Sequence, residues 1–149
     1  MPIKYLEDIK VGDIFYSAQQ YEVTKQEIME FAYKWDPNVY HIDENAAANS
    51  IFNGLIAPAS LVIAIESWLW HSIENKPALV CGLGWDEVRF VAPVRPDDRL
   101  HLHSECIDVR PSESIPGTGI LQTNLTISNQ NDEPVLTLTD SYLIKKRLP

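Results

Sequence analysis

The stretch "PASLVIAIESWLWHSIEN", residues 58–75, decides the fold because it predicts a helix that must be covered by other parts of the chain. Pro58 suits the first turn of a helix, where the N–H that proline lacks would have no partner. Between Leu61 and Trp70 the segment is apolar on nearly every side, which is typical of a buried helix. It is too short to span a bilayer. The rest of the chain should therefore wrap around it.

The second half of the chain predicts the layer that covers this helix. Four segments rich in β-branched and aromatic residues follow one another, separated by turns that contain proline, glycine or asparagine: residues 78–94, 99–110, 119–129 and 133–147. In the second segment, Leu102 and Ile107 lie on opposite faces unless a β-bulge intervenes. The sequence predicts an α+β domain in which one long central helix lies on one curved antiparallel sheet.

The first third of the chain predicts a strand, a helix and a turn. Residues 12–23 have the composition of one strand, and Thr24 and Glu27 have the spacing of a capping box that begins a helix. The proline in "DPNVYH", residues 36–41, disfavours helical geometry at the residue before it. The helix should therefore end near Trp35, and the segment that follows should be a turn at its end.

Size and charge limit the classes of function. A chain of 149 residues suits a single domain, residues 1–149. Twelve basic and 21 acidic residues give a net charge of −9, which argues against nucleic acid and anionic lipid as partners.

The start of the chain lacks the pattern of a signal peptide, and no segment predicts a membrane span. The two cysteines, Cys81 and Cys106, suit reduced, buried side chains, so we expect a cytoplasmic protein.

A carboxylate and an imidazole stand five positions apart at Asp36 and His41. A carboxylate can accept a proton at neutral pH, and an imidazole can hold or release one. Either residue alone would more often be an ordinary loop residue. Together, just upstream of a buried helix, they are candidates for an acid/base pair.

The chain resembles the MaoC-like dehydratases, a family that includes the R-specific enoyl-CoA hydratases. The similarity extends from about Tyr5 to Arg147, and its most specific element is the spacing of Asp36, Asn38 and His41. It rests on "DPNVYHIDENAAANSIFNGLIAP" at 36–58, "FVAPVRPDDRL" at 90–100, "VRPSES" at 109–114 and "ISNQNDEPVLTL" at 127–138. The resemblance implies a hot-dog fold, a helix wrapped by an antiparallel sheet, and assembly as at least a homodimer.

The resemblance also implies a reaction and a set of site residues. The reaction is addition of water to a trans-2-enoyl thioester, or its reverse, with the (R)-3-hydroxyacyl thioester as the hydrated form. Asp36 and His41 would hold the water, Asn38 would orient them, the backbone amide of Ala59 would stabilise the enolate, and Ser67 would line the site. The acyl group would be carried by coenzyme A or an acyl carrier protein. No metal or redox cofactor is implied.

One departure from the family keeps alternatives open. The hydratases usually have a His-Gly pair at the start of the central helix, where this chain has Pro58 and Ala59. Ala59 retains its N–H, but its methyl group takes space near the thioester. One alternative is a hot-dog dimer that binds an acyl thioester or a protein partner without turnover. Another is a thioesterase that uses Glu66. Adjacent residues of a helix point about 100° apart, so the side chain of Glu66 would not point in the same direction as that of Ser67.

Two histidines on one strand raise a weaker possibility. His101 and His103 share a face of the second predicted strand, as metal ligands sometimes do. The spacing of the chain offers no third ligand. We therefore expect these two histidines to lie on a solvated surface and predict no metal site.

Overall fold

The computed structural model describes residues 2–149 and contains four α-helices and six strands in that range. A 3-10 segment at Leu6–Asp8 comes first. The strands are β1 (Ile14–Tyr16), β2 (Tyr21–Glu22), β3 (Leu79–Phe90), β4 (Arg99–Pro111), β5 (Thr118–Ser128) and β6 (Pro134–Lys145). The helices are α1 (Lys25–Trp35), α2 (Val39–Ile42), α3 (Glu44–Ala48) and α4 (Ala59–His71).

The six strands form one antiparallel sheet in the order β1-β4-β5-β6-β3, with β2 also paired to β4. Strands β4, β5 and β6 are neighbours in both sequence and space, so hairpins connect them. Strand β3 pairs only with β6 among these strands and forms one edge of the sheet. The prediction of an α+β fold with an antiparallel sheet is confirmed.

Helix α4 packs against one face of this sheet. Its side chains at Leu61, Val62, Ile65 and Leu69 are buried and belong to the same core as residues of β4, β5 and β6. The expectation of an evenly buried helix is only partly met, because Trp68 is 44% exposed. An open sheet covers one side of a helix, so the opposite side of α4 remains accessible in the single chain.

Strand β4 contains the bulge that its sequence pattern allowed. The register between β4 and β5 shifts between Cys106 and Asp108, and Ile107 is 39% exposed at that point. The extra residue restores the alternation, so Val109 packs against the core on the side where Leu102 is buried. The bulge therefore keeps the apolar residues of a long strand on one face.

The prediction of one strand over residues 12–23 is wrong. The chain pairs as β1 and β2, with a bend between them. At the bend, the hydroxyl of Ser17 accepts the N–H of Leu102 at 3.0 Å, and the N–H of Ala18 donates to the carbonyl of Ser72 at 3.2 Å. These bonds to β4 and to the end of α4 replace continued strand pairing.

Helix α1 begins with half of the predicted capping box. The Thr24 hydroxyl accepts the N–H of Glu27 at 3.1 Å. The carboxylate of Glu27 instead accepts the hydroxyl of Tyr21 at 2.6 Å, which ties the helix start to β2. The predicted end of α1 at Trp35 is confirmed.

Candidate active site

The segment after α1 positions the predicted acid/base pair. Asp36 is the C-cap residue of α1, and its N–H donates to the carbonyl of Ala32 at 2.9 Å. The following residues were expected to form a turn, but Val39–Ile42 form one helical turn, α2. The Asn38 side chain caps this turn by accepting the N–H of Tyr40 at 3.1 Å. Asn38 thus holds the helix that carries His41.

Asp36 and His41 face each other. The Nε2 atom of His41 lies 3.5 Å from Oδ2 of Asp36, and the Nδ1 atom lies 2.8 Å from the carbonyl oxygen of Ile56. A carbonyl oxygen can only accept a hydrogen bond, so Nδ1 carries a proton. In the neutral ring, Nε2 then presents a lone pair toward Asp36. His41 is 8% exposed, and Asp36 is half-buried.

A cavity of about 390 Å³ lies against this pair. Asp36, His41 and Ala59 all line it, so the fold brings together three of the five predicted site residues. Most of the remaining wall is apolar and comes from the segment before α4, from α4 and from the region around the end of β3: Phe52, Ile56, Val62, Phe90, Val91 and Val94. The volume is within the range of sites for small organic ligands.

Ala59 lines this cavity at the start of α4. It is the first residue of α4, and Pro58, at the N-cap position rather than inside the first turn, provides no side-chain cap. The first N–H groups of a helix have no partner within the helix, and the helix dipole adds positive charge there. The N–H of Ala59 is therefore suited to stabilise negative charge on an oxygen in the cavity.

Ser67, predicted to line the same site, lies elsewhere in this chain. It lines a second cavity of about 430 Å³, which we call the acidic cavity, and its hydroxyl is 3.3 Å from Oε2 of Glu66. Other residues of α4, β3 and β6 complete the acidic cavity: Trp70, His71, Leu79, Gly82, Leu83, Gly84, Trp85, Asp140 and Tyr142. Ser67 lies eight residues after Ala59 in α4, which corresponds to a rise of about 12 Å along the helix axis.

Two buried carboxyl groups give the acidic cavity its character. Glu66 is 2% exposed and Asp140 is 3% exposed. Burial, with the nearby Asp140 charge, raises the pKa of Glu66 to about 7. Burial raises the pKa of Asp140 to about 6. The sequence reasoning missed Asp140, although the two-residue period of β6 places it on the same face as buried Leu138 and Tyr142.

Arg95 and the two histidines of β4, His101 and His103, make contacts within the fold. Arg95 donates from Nη2 to the carbonyl of Phe52 at 2.5 Å, which ties the wall of the first cavity to the loop after β3. The Nε2 atom of His101 lies 3.3 Å from Oδ1 of Asp132, and His103 packs edge-on against Tyr16. Within residues 2–149, His, Cys, Asp and Glu side chains form no group of three or more arranged to hold a metal ion.

The fold and site place the chain among known proteins. Its fold is the hot-dog fold. The chain matches a Mycobacterium tuberculosis protein with a double hot-dog fold at a TM-score of 0.82 and 17% identity. The match covers 97% of this chain and 45% of that one. Residues 9–124 match the family model described as MaoC like domain. The chain belongs to this family, as its sequence predicted.

Two relatives match along nearly their whole lengths. The chain is 33% identical over 144 residues to the uncharacterized protein YdeM of Bacillus subtilis (strain 168). This match covers 95% of this chain and 99% of the relative. It also matches the crystal structure of the MaoC-like dehydratase from Rhodospirillum rubrum at 33% identity and a TM-score of 0.87, over 98% of this chain and 99% of that one.

Across residues 2–149, no helix combines the length and the apolar character that crossing a membrane would require.

Proposed function

We propose that the protein is a hydratase or dehydratase that interconverts a trans-2-enoyl thioester and an (R)-3-hydroxyacyl thioester. The observation that carries the proposal is the Asp36–His41 pair, which lines an apolar cavity together with Ala59, the first residue of α4. The relative from Rhodospirillum rubrum is named a dehydratase, which supports the same class of reaction.

The pair is suited to hold one water molecule. A carboxylate oxygen and the lone pair of a neutral Nε2 are both acceptors, and they lie 3.5 Å apart with no donor between them. A water molecule has two O–H donors, so it can donate one to Asp36 and the other to His41. Its oxygen lone pairs then point toward the cavity, where C3 of the enoyl group would lie.

The addition balances without a metal or a redox partner. The water oxygen forms a bond to C3 while the pair accepts one water proton. The π electrons of the C2–C3 bond shift toward C1, and the negative charge that develops on the thioester oxygen is stabilised by the N–H of Ala59. The pair then returns a proton to C2. Dehydration is the same sequence in reverse.

The walls of the cavity and the surface around it fit an acyl thioester. The apolar lining at Phe52, Val62 and Phe90 would contact the acyl group. A phosphate-bearing carrier, coenzyme A or an acyl carrier protein, needs local positive charge on a protein of net charge −9. Arg99 is exposed and available for this. Arg95 is engaged with the Phe52 carbonyl, and Arg89 is engaged with the Glu87 carboxylate and the Val88 carbonyl.

We also propose that two copies pair through β3. This strand is a sheet edge with free backbone groups, and Val80, Leu83 and Trp85 on it are 46%, 51% and 48% exposed. Exposed edges with large apolar side chains are rare on monomeric proteins. Edge-to-edge pairing of β3 would cover these side chains and continue the sheet into a second copy.

The proposed reaction is tested by following loss of enoyl-thioester absorbance on short, medium and branched trans-2-enoyl-CoA substrates. Asp36→Asn retains the shape of the side chain but removes the base, and turnover should fall by about 10²-fold or more. The matched control is Asp97→Asn, because Asp97 is exposed, lies outside the cavity and has a φ of 72° that asparagine also adopts.

The outcomes separate the proposal from its alternatives. Turnover that is lost in Asp36→Asn and retained in Asp97→Asn supports the proposed pair. Equal turnover in wild type and Asp36→Asn would overturn the assignment of Asp36. A folded protein that co-purifies with an acyl thioester, yet turns over no enoyl substrate, would favour a protein that only binds its ligand; the Pro58–Ala59 pair is the feature behind that alternative.

A further inference from the structure

One peptide unit, which joins Ile56 to Ala57, fixes the tautomer of His41. The carbonyl oxygen of Ile56 lies 2.8 Å from Nδ1 of His41, and the N–H of Ala57 donates to the carbonyl of Val94 at 2.8 Å. This peptide bond is trans, so its C=O and N–H are coplanar and point in opposite directions. The carbonyl of Val94 therefore orients the group that holds the proton on Nδ1.

A second hydrogen bond joins the same two segments. The Nη2 atom of Arg95 donates to the carbonyl of Phe52 at 2.5 Å, and Arg95 directly follows Val94 in the chain. The segment before α4 is thus attached to the loop after β3 at two points, through Phe52 and through Ala57. Ile56 lies between these two attachments, so movement at either of them displaces its carbonyl.

Arg95 is itself held in place by buried contacts. Its backbone N–H donates to Oδ2 of Asp98 at 2.9 Å, and Nε2 of Gln130 donates to the other oxygen of Asp98 at 3.0 Å. Asp98 is 8% exposed, so this carboxylate fixes the backbone at Arg95 from inside the fold. A methyl group built at Gly54 would lie 3.4 Å from Nη1 of Arg95, so the guanidinium lies against the backbone of the segment before α4.

The position of the Arg95 side chain is not explained by an ion pair. Within residues 2–149, no carboxylate oxygen lies within 4.0 Å of its guanidinium nitrogens. Arg95 is half-buried, and its guanidinium donates instead to the backbone carbonyl of Phe52. Hydrogen bonds from charged donors are roughly twice as strong as those between neutral groups. This bond is therefore suited to holding a backbone segment in place.

From these contacts we propose that Arg95 is a positioning residue for the acid/base pair. It holds the segment before α4 so that the Ile56 carbonyl keeps the proton on Nδ1 of His41. The Nε2 atom then remains an acceptor that faces Asp36. This role rests on the proposed function, because an acceptor at Nε2 is what allows the pair to hold a water molecule. With the proton on Nε2, His41 would donate to Asp36 directly and the place of the water would be lost.

The first test determines the tautomer of His41 without any substrate. At about pH 8.5, where an ordinary imidazole is neutral, long-range ¹H–¹⁵N correlation spectra distinguish a protonated ring nitrogen from an unprotonated one. His41→Gln identifies the signals of this ring among the four histidines of the ¹⁵N-labelled protein. We expect wild-type protein to carry the proton on Nδ1. Arg95→Met retains a long side chain but has no donor, and the form with the proton on Nε2 should appear in it.

The second test compares kcat with KM on a trans-2-enoyl-CoA substrate. Arg95→Met should lower kcat by about 10-fold to 10²-fold with KM nearly unchanged, because the pair is misplaced while the cavity remains. Arg95→Lys retains one donor for the Phe52 carbonyl and should restore most of kcat and the Nδ1 tautomer. Arg110→Met is the matched control, because Arg110 is exposed, pairs with Asp108 and does not line the cavity.

Two results would overturn the positioning role. One is a proton that stays on Nδ1 both in Arg95→Met and in Arg95→Gln, a shorter polar variant that guards against poor folding of the first. The other is a raised KM with kcat and the tautomer unchanged, which would assign Arg95 to the phosphate of the carrier.

Failure of the proposed function is distinguishable from failure of the positioning role. If wild-type protein turns over no enoyl thioester, the proposed function is contradicted. The tautomer of His41 in wild type and in Arg95→Met still decides whether Arg95 positions this ring.

Discussion

Replacing Glu66 with glutamine should stabilise the protein at neutral pH and leave its stability almost unchanged in acid. Glu66 is 2% exposed, and burial followed by the Asp140 charge raises its pKa from 4.5 to about 7. The folded protein therefore retains a proton between these pH values that the unfolded chain has lost. The free energy of unfolding must fall as the pH rises through this window. Glutamine has nearly the same shape but no proton to lose.

The expected size follows from the width of that window. A rise of about 2.5 in pKa corresponds to about 3 kcal/mol at 1.36 kcal/mol per unit. Glu66→Gln should thus be about 3 kcal/mol more stable than wild type at pH 8, with a difference near zero at pH 4.5. Relief of the repulsion between Glu66 and Asp140 is already included in this value, because the Asp140 charge contributes to the raised pKa of Glu66.

Urea unfolding at pH 5, 6, 7 and 8 measures this difference directly. The protein concentration must be constant, because self-association shifts apparent stability. Glu74→Gln makes the same chemical change at an exposed position and should show little change at any pH. A difference between Glu66→Gln and wild type that does not vary with pH, or a less stable variant at pH 8, would refute the reasoning.

Three further substitutions test other parts of the structure. Ala59→Pro removes the proposed oxyanion donor at the first residue of α4, a position where proline is well tolerated. Turnover measured by enoyl absorbance should fall about 10²-fold, while the circular dichroism spectrum should be unchanged. The control variant Ala59→Gly, which retains the N–H, should stay active. Asn38→Ala removes the cap of α2 and should lower both the turnover and the free energy of unfolding. In urea titrations the free energy of unfolding should fall by about 1 kcal/mol, and Asn38→Ser should restore both quantities. Leu83→Lys places a charge on the exposed β3 edge and should yield monomers in light scattering, whereas a dimer that persists would place the contact elsewhere.

The sequence predicted those parts of the fold that depend on local pattern. The apolar run in α4, the proline after Trp35 and the change of apolar face in β4 each identify an element or a bulge from neighbouring residues alone. The division of residues 12–23 into two strands could not be predicted in this way. It depends on the hydrogen bonds of Ser17 and Ala18 to distant segments, which have no local signature.

The candidate site was predictable only in part, for the same reason. The spacing of Asp36 and His41 marks them as a pair, and the structure places them 3.5 Å apart. The backbone carbonyl of Ile56, which fixes the protonated nitrogen of His41, has no side-chain signal. Glu66 and Asp140 lie 74 positions apart in sequence and meet only because β6 passes beneath α4.

Isotope labelling of the product tests the proposed chemistry most directly. Wild-type protein, with Asp36→Asn as the comparison, should convert a trans-2-enoyl-CoA in a mixture of H₂¹⁸O and D₂O. The proposed reaction predicts ¹⁸O in the hydroxyl group at C3, one deuterium at C2 and an intact thioester. Release of free thiol with ¹⁸O in a carboxylate would show thioester hydrolysis instead. That result would contradict water addition by Asp36 and His41.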